Sequence, residues 1–267
     1  MDKNKILPII DLHSCLQGEG KLAGVPHILV RLSGCNLRCA FKDSYCDTPY
    51  SSFNPEKGKY TLQDVQKFCE DNLGINHMMI TGGEPCLHLD LVEEFASGGD
   101  DFDYPISITI ETNGSIKVPP SVMKSIDLAS ISPKLESSIP TQEKMERFGM
   151  KYSKEIEKKH IKERENIPNI VDWIICARDF QLKYVVGSEK DLEEIEGQLL
   201  KIQDELCNQD EDELAMFIRS EVYLMPEGVT PEQISEKRVW LMEECLKRGF
   251  NYSDRLQILA YGNKREA

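Results

Sequence analysis

The sequence predicts an α/β fold built on a mostly parallel sheet. Three observations lead there. Short apolar runs of strand length alternate with stretches of helical spacing along most of the chain. The unusual residue clusters fall directly after those runs, as they do when a ligand sits at the carboxyl ends of parallel strands. The length, 267 residues, suits a single α/β domain of barrel size.

Taken in order, His27 to Leu32 (HILVRL) is an apolar run that ends at Ser33-Gly34. Leu62 to Leu73 has helical spacing and stops at Gly74. Met78 to Thr81 reads as a short buried strand cut off by Gly82-Gly83, and Leu89 to Phe95 as a helix. Ile106 to Ile110 runs into Glu111-Thr112-Asn113-Gly114, and Leu128 to Ile131 into Ser132-Pro133-Lys134. Gln181 to Val186 and Val222 to Met225 continue the strands, with helices at Lys190 to Leu206 and Pro231 to Arg248. A last strand is expected at Leu256 to Tyr261. Glu136 to Asn169 breaks the alternation with a charged stretch, KYSKEIEKKHIKEREN, at its centre. It reads as a solvated helix laced with i,i+4 pairs, as a partly unstructured insertion, or as a lid that brings a cation to a substrate.

A net charge of −14 argues against a phosphate-backbone binder and favours a small-molecule substrate over nucleic acid. No apolar run approaches the length that spans a bilayer. Met1 to Pro8 lacks the apolar core of a signal peptide, so a cytoplasmic location away from the membrane is expected. The nine cysteines are an odd number, which argues against a disulfide framework. Cys15, Cys69, Cys86, Cys176, Cys207 and Cys245 are scattered and read as buried free thiols. Cys35, Cys39 and Cys46 instead cluster in one loop, the pattern of a metal site in a reducing compartment.

Their spacing is C-x3-C-x6-C. Three thiolates on one loop can hold three irons of a 4Fe–4S cube and leave the fourth iron open. A structural zinc site would want a fourth Cys or His at short spacing, and none follows Cys46. Zinc and unliganded thiols remain the alternatives at this point.

The order strand, cysteine loop, strand, TGGEP (Thr81 to Pro85) resembles the radical S-adenosylmethionine superfamily. That superfamily usually shows C-x3-C-x2-C, and here Lys42 to Tyr45 stand as four extra residues before the third cysteine. A longer loop can bulge outward while the ligands still converge. The flanking words resemble the 7-carboxy-7-deazaguanine synthase family: LQGEG from Leu16, RLSGCNLRC from Arg31, CDTPYS from Cys46, ETNG from Glu111 and SPK from Ser132. QLKYVV from Gln181, LMPEG from Leu224 and RLQILAYGNKR from Arg255 complete the family's order.

The resemblance implies a partial, open TIM-like β/α barrel of the radical S-adenosylmethionine type. It would be one domain over residues 1–267, with the charged helical insertion at about 136–169. It implies a 4Fe–4S cluster on Cys35, Cys39 and Cys46, and Mg2+ held through Thr48. S-adenosyl-L-methionine would meet Gly83, Glu84, Glu111, Asn113, Ser132, Pro133 and Lys134, with Met225, Pro226 and Glu227 near its adenine. Leu16, Gln17, Gly18, Arg31 and Thr81 would hold the substrate, and Glu19 would pair with a ring nitrogen. Arg31 suits a carboxylate bidentately, with a plain salt bridge as the alternative. Blander readings stay open for the others: a strand-to-helix turn at TGGEP, Pro133 turning a strand end, and Asp47 capping a turn.

The implied reaction takes 6-carboxy-5,6,7,8-tetrahydropterin to 7-carboxy-7-deazaguanine with loss of ammonia, as in the supply of deazapurines such as queuosine. It needs an external one-electron donor of flavodoxin or ferredoxin type, and the family implies a homodimer. Two rivals share some of these features. A radical activase acting on a protein would need the Cys loop and TGGEP but not LQGEG or CDT. A non-catalytic iron–sulfur or zinc adaptor would use the acidic surface. Replacing any one of Cys35, Cys39 or Cys46 by Ala is expected to abolish the reducible cluster signal in electron paramagnetic resonance. A Cys46→Ala protein with full cluster content would overturn the reading of the lengthened loop.

Overall fold

Apolar residues at every second strand position decide which face of the sheet meets the helices. In a computed structural model the strands are β1 (Ile9–Leu16), β2 (Pro26–Leu32), β3 (His77–Gly82), β4 (Ser107–Thr112), β5 (Leu128–Ile131), β6 (Phe180–Val186), β7 (Val222–Pro226) and β8 (Asn251–Tyr252). The structure describes residues 2, 4–97, 106–262 and 264–265. Met1, Lys3 and Asn263, which belong to stretches read above, lie outside the described residues.

The eight strands form one sheet in chain order. β1 runs antiparallel to β2, and every later neighbour is parallel. β1 and β8 are its edges, so the sheet is open. It is also curved: Lys183 on β6 reaches Glu19, just beyond β1, at 2.7 Å. Ile28, Val30, Met78, Ile80, Ile108, Ile110, Leu182 and Tyr184 pack on the helices in the buried core. The residues between them on the same strands, among them Arg31, Thr81, Glu111 and Lys183, turn to the concave side.

The helices are α1 (Pro49–Ser52), α2 (Leu62–Asp71), α3 (Leu89–Ala96), α4 (Pro120–Met123), α5 (Gln142–Arg147), α6 (Lys154–Glu163), α7 (Ile167–Cys176), α8 (Glu189–Asn208), α9 (Asp212–Phe217), α10 (Pro231–Arg248) and α11 (Leu256–Tyr261). Local chemistry sets their ends. Thr61 with Asp64 and Ser188 with Asp191 form capping boxes at the starts of α2 and α8. Gly249, in the left-handed region at φ 70°, ends α10. No helix among the described residues is long and apolar enough to cross a membrane.

Two expectations need correcting. The last strand is absent from Leu256 to Tyr261, which form α11 instead. There the Leu256 N–H donates to the Gly18 carbonyl at 3.0 Å, so the backbone turns out of the sheet, and only Ile258 of the run is buried. β8, only two residues long, lies earlier at Asn251–Tyr252 and pairs with β7. β1, passed over in the sequence, carries polar Asp11, His13 and Cys15 on its inner face, which masks the apolar strand signal. The 136–169 segment is helical, comprising α5, α6 and the start of α7.

The glycines of TGGEP have a packing duty. Gly82 sits at φ 150°, and a Cβ there would collide with the Leu32 carbonyl. A Cβ on Gly83 would collide with the Gly34 carbonyl, whose oxygen accepts the Glu84 N–H at 2.8 Å. The end of β3 is thereby seated against the cysteine loop leaving β2. Gly83→Ala is expected to cost about 2 kcal/mol in urea unfolding through overpacking. Gly74→Ala, where a Cβ meets nothing within 4 Å, should stay within about 0.5 kcal/mol of the parent.

Candidate active site

One cavity of about 500 Å³ opens on the concave side, rimmed by the carboxyl ends of the parallel strands. It gathers most of the residues singled out in the sequence. Leu16, Gln17, Gly18, Glu19, Arg31, Cys35, Cys39, Cys46, Thr48, Thr81, Gly83, Glu111, Asn113, Ser132, Lys134 and Met225 all line it. Glu84, Pro133, Pro226 and Glu227 do not.

The lengthened cysteine loop closes on itself. The Cys46 N–H donates to the Cys39 carbonyl at 3.0 Å, and the Phe41 N–H to the Ser44 carbonyl at 2.8 Å. Ala40 and Tyr45 form a bridge. Residues 41–44 thus make a small hairpin that returns the chain to Cys39, and Cys46 stands beside Cys39 despite the extra four residues. The hairpin is pinned from outside. Ser44 hydrogen-bonds to buried Glu227, which also pairs with Lys237 at 3.1 Å. Arg147 donates to the Lys42 carbonyl at 2.6 Å, and the Tyr45 ring packs tilted against Phe148 with centroids 5.2 Å apart.

The three cysteines line the same cavity. Burial pushes the Cys39 thiol up to about 12 against the pull of Lys134, and Cys46 and Asp47 add to the rise. Burial likewise drives Cys35 well above the ordinary thiol range, with Cys39 and Glu84 contributing. Cys35 and Cys39 thus resist ionisation, and a cation bound between them would favour their thiolates. The Ser52 hydroxyl already donates to Cys46 Sγ at 3.2 Å. Among the described residues, no group of three His, Cys, Asp or Glu side chains could hold a single metal ion.

Glu84 is fully buried, and its carboxylate is occupied. It accepts from the Cys86 N–H at 3.0 Å, the Thr112 hydroxyl at 2.7 Å and the Asn113 N–H at 2.7 Å. Burial raises its pKa against these hydrogen bonds. It therefore fixes the end of β4 and orients Asn113, whose side chain donates to Asn36 Oδ1 at 3.0 Å. Lys134 Nζ donates to Ser132 Oγ at 2.7 Å on the rim. Thr48 Oγ1 lies 3.5 Å from Cys46 Sγ.

A chain of paired charges, centred on buried Lys183 and Arg255, forms the opposite wall. Glu19 accepts from Lys183 at 2.7 Å, Gln257 at 2.8 Å and Arg255 at 3.0 Å. Lys183 also donates to Glu111 at 2.8 Å, and Glu111 takes Thr81 Oγ1 at 3.0 Å. Gln17 Nε2 lies 3.4 Å from the same carboxylate. Arg255 continues to Asp47, beside the last cysteine, and to the Gly228 carbonyl at 2.6 Å. Arg31 gives Nε to Asp11 Oδ2 at 3.1 Å, so the salt bridge and the cavity position coexist. Arg265 takes the other Asp11 oxygen at 2.6 Å and lies over the Tyr50 ring at 3.9 Å.

No protein-family model matches the chain. Among curated proteins, the 7-carboxy-7-deazaguanine synthase of Rhodopirellula baltica is 36% identical over 252 residues, 93% of this chain and 84% of the relative. That of Halobacterium salinarum is 35% identical over 263 residues, 97% and 92% respectively. The chain belongs to the 7-carboxy-7-deazaguanine synthase family. A solved structure agrees on fold: QueE from Escherichia coli superposes with a TM-score of 0.52 over 94% of each chain at 23% identity.

For a member of this synthase family, Lys183, Arg255, Gln257 and Arg265 are cavity residues that sequence reasoning missed, as it missed buried Asp11, which pairs with Arg31 and Arg265 behind the wall. A signal was present for one of them. Lys183 interrupts the apolar run QLKYVV, where a charge is costly unless paired. Glu19 gives the sharpest test. Burial alone would raise its pKa, but Lys183 and Arg255 more than offset that and hold its carboxyl well below the ordinary range. A depressed carboxyl adds stability at pH values above its unfolded value, near 4.5, and loses it as pH falls toward the folded value. Glu19→Gln is therefore expected to cost about 3 kcal/mol at pH 7 in urea unfolding, because two cations lose a buried partner. The deficit should shrink as the pH is lowered below 4.5.

Proposed function

We propose that this chain is a radical S-adenosylmethionine enzyme that converts 6-carboxy-5,6,7,8-tetrahydropterin to 7-carboxy-7-deazaguanine with release of ammonia, a carbon–nitrogen lyase reaction. One observation carries the reading: three thiols of one loop share a single cavity with the ends of TGGEP, ETNG and SPK and with a carboxylate-paired arginine. The names of the relatives support the product.

Cys35, Cys39 and Cys46 are the residues that would hold a 4Fe–4S cluster, with one iron left for a substrate. Together with S-adenosyl-L-methionine, such a cluster supplies a 5′-deoxyadenosyl radical that can take a hydrogen atom from the pterin. The chain's own residues bind and orient. Gly83, Glu111, Asn113, Ser132, Lys134 and Met225 offer the nucleoside and methionine contacts from the strand ends. Glu84 acts by holding the Asn113 N–H in place, and Pro133, Pro226 and Glu227 act from behind the wall. Arg31, oriented through its Nε by Asp11, is poised for the pterin carboxylate.

Leu16, Gln17, Gly18 and Thr81 shape the neighbouring wall, and Glu19 stays ionised between Lys183 and Arg255. The Thr48 hydroxyl, with substrate oxygens and waters, would hold Mg2+ and offset the carboxylate charge. An external one-electron donor of flavodoxin or ferredoxin type starts each cycle. The protein supplies position, a dry pocket and charge placement, and the cofactor carries the difficult step.

Anaerobic reconstitution with iron and sulfide, then addition of S-adenosyl-L-methionine, dithionite and the tetrahydropterin, should yield 5′-deoxyadenosine and ammonia. Arg31→Ala should lower kcat/KM for the pterin by at least about tenfold while keeping cluster content, the loss of a charge-assisted pair. Formation of 5′-deoxyadenosine only in the presence of a protein substrate would favour an activase instead. Uptake of zinc in place of iron would favour an adaptor.

A further inference from the structure

The helical segment between β5 and β6 has two unlike sides. Its inner side holds the cysteine loop. The Arg38 N–H donates to His160 Nδ1 at 3.3 Å, and the Ala40 N–H to the Ser138 carbonyl at 2.9 Å. Asn36 Nδ2 reaches Glu163 at 3.3 Å. His160 is buried midway along α6 and bonds Ser138 Oγ at 3.0 Å through its other ring nitrogen. The backbone on either side of Cys39 is therefore bound to α6 or to the 136–138 turn that precedes α5.

The outer side is basic. Lys154, Lys158 and Lys162 recur at every fourth position of α6, so they lie in one stripe, and all three are exposed. Exposed Lys151 precedes the helix and exposed Lys159 flanks the stripe. Between 151 and 162 there are five lysines against two glutamates, in a chain of net charge −14. Lys159 reaches Glu163 at 3.8 Å; the other four form no ion pair among the described residues. Of the two glutamates, Glu157 is engaged by the Tyr152 hydroxyl at 2.6 Å and Glu155 by Ser153 Oγ at 2.8 Å. Ile161, 51% exposed, adds an apolar contact beside the lysines.

We propose that this lysine stripe is the docking face for an acidic one-electron carrier protein, which passes its electron to the thiol-borne site across α6. The proposal rests on the radical reading above and names its partner's landing site. Charge decides the occupant. An acidic carrier is repelled by most of an acidic chain and attracted only where cations are concentrated, which steers both encounter and orientation. Distance favours the same face. A helix with its side chains is about 10 Å across, so a carrier seated there stands one helix diameter from the backbone flanking Cys39. The carrier loses one electron and the cluster gains it, and no bond is made or broken.

The experiment compares the parent with the triple variant Lys154→Glu, Lys158→Glu, Lys162→Glu, using a recombinant flavodoxin as probe. Calorimetry with oxidised flavodoxin is run on the cluster-free and reconstituted chains at low and high salt. Bleaching of the cluster absorbance is followed after mixing with reduced flavodoxin or with dithionite. The triple variant should weaken flavodoxin binding and slow its electron transfer by at least about tenfold at low salt, with the salt dependence largely gone. Dithionite reduction should be unchanged, and arginine at the same three positions should restore the parent behaviour. Flavodoxin binding and reduction within twofold of the parent would overturn the proposal, as would an equal loss with dithionite. A loss confined to binding of an RNA homopolymer would also overturn it. Failure of the parent to take up a cluster would count against the radical reading alone, because the isotherms on the cluster-free chain still decide the docking face.

Discussion

The buried carboxylate of Glu19 is the point on which the cavity depends. It lies beyond β1, yet its partners come from β6 and from the start of α11 with the residue that precedes it. Lys183 extends the pairing to Glu111 on β4, and Arg255 extends it to Asp47 in the cysteine loop. Five distant parts of the chain are thus tied by charge. In an open sheet the two edge strands are not hydrogen-bonded to each other, and this network links the two ends of the sheet from inside. A buried ion network of this kind tolerates little: taking one partner away leaves the rest uncompensated in a poorly solvated space.

The cysteine loop depends on contacts made from both flanks. On one side, Gly83 lets the end of β3 approach the Gly34 carbonyl. On the other, α6 and the 136–138 turn bind the backbone around Cys39. Between them the hairpin at residues 41–44 takes up the extra length of the C-x3-C-x6-C spacing, and its base hydrogen bond returns Cys46 to Cys39. The hairpin is therefore an outward excursion anchored by Ser44 on Glu227 and by Arg147 on the Lys42 carbonyl.

Much of this was legible in the residues, and the failures have physical causes. The parallel strands and the long helices were readable because their apolar faces pack outward on helices, so period and burial agree. α10 was read from Pro231 to Arg248 because Thr230, Pro231 and Gly249 mark both ends chemically. β1 was not, because its inner face carries Asp11, His13 and Cys15 toward a polar cavity, and binary patterning fails where function replaces core. The run LQILAY reads as a strand by composition, but an edge position and the Leu256–Gly18 backbone contact make it a helix. Glu84 shows another kind of miss. Its place in TGGEP was evident, but only the fold reveals that three donors from the β3 and β4 ends occupy its carboxylate.

The sequence by itself determined the α/β class, the site's position at the strand ends and the three thiols that mark it. Each is local: strand period, turn residues and cysteine spacing are written within a few residues of one another. Tertiary structure decided the rest. Glu19 with Arg255 and Asp11 with Arg265 are separated by 236 and 254 positions, and no local pattern pairs them. Only closing the chain around a cavity brings such charges together, because burial makes each of them too costly to leave alone.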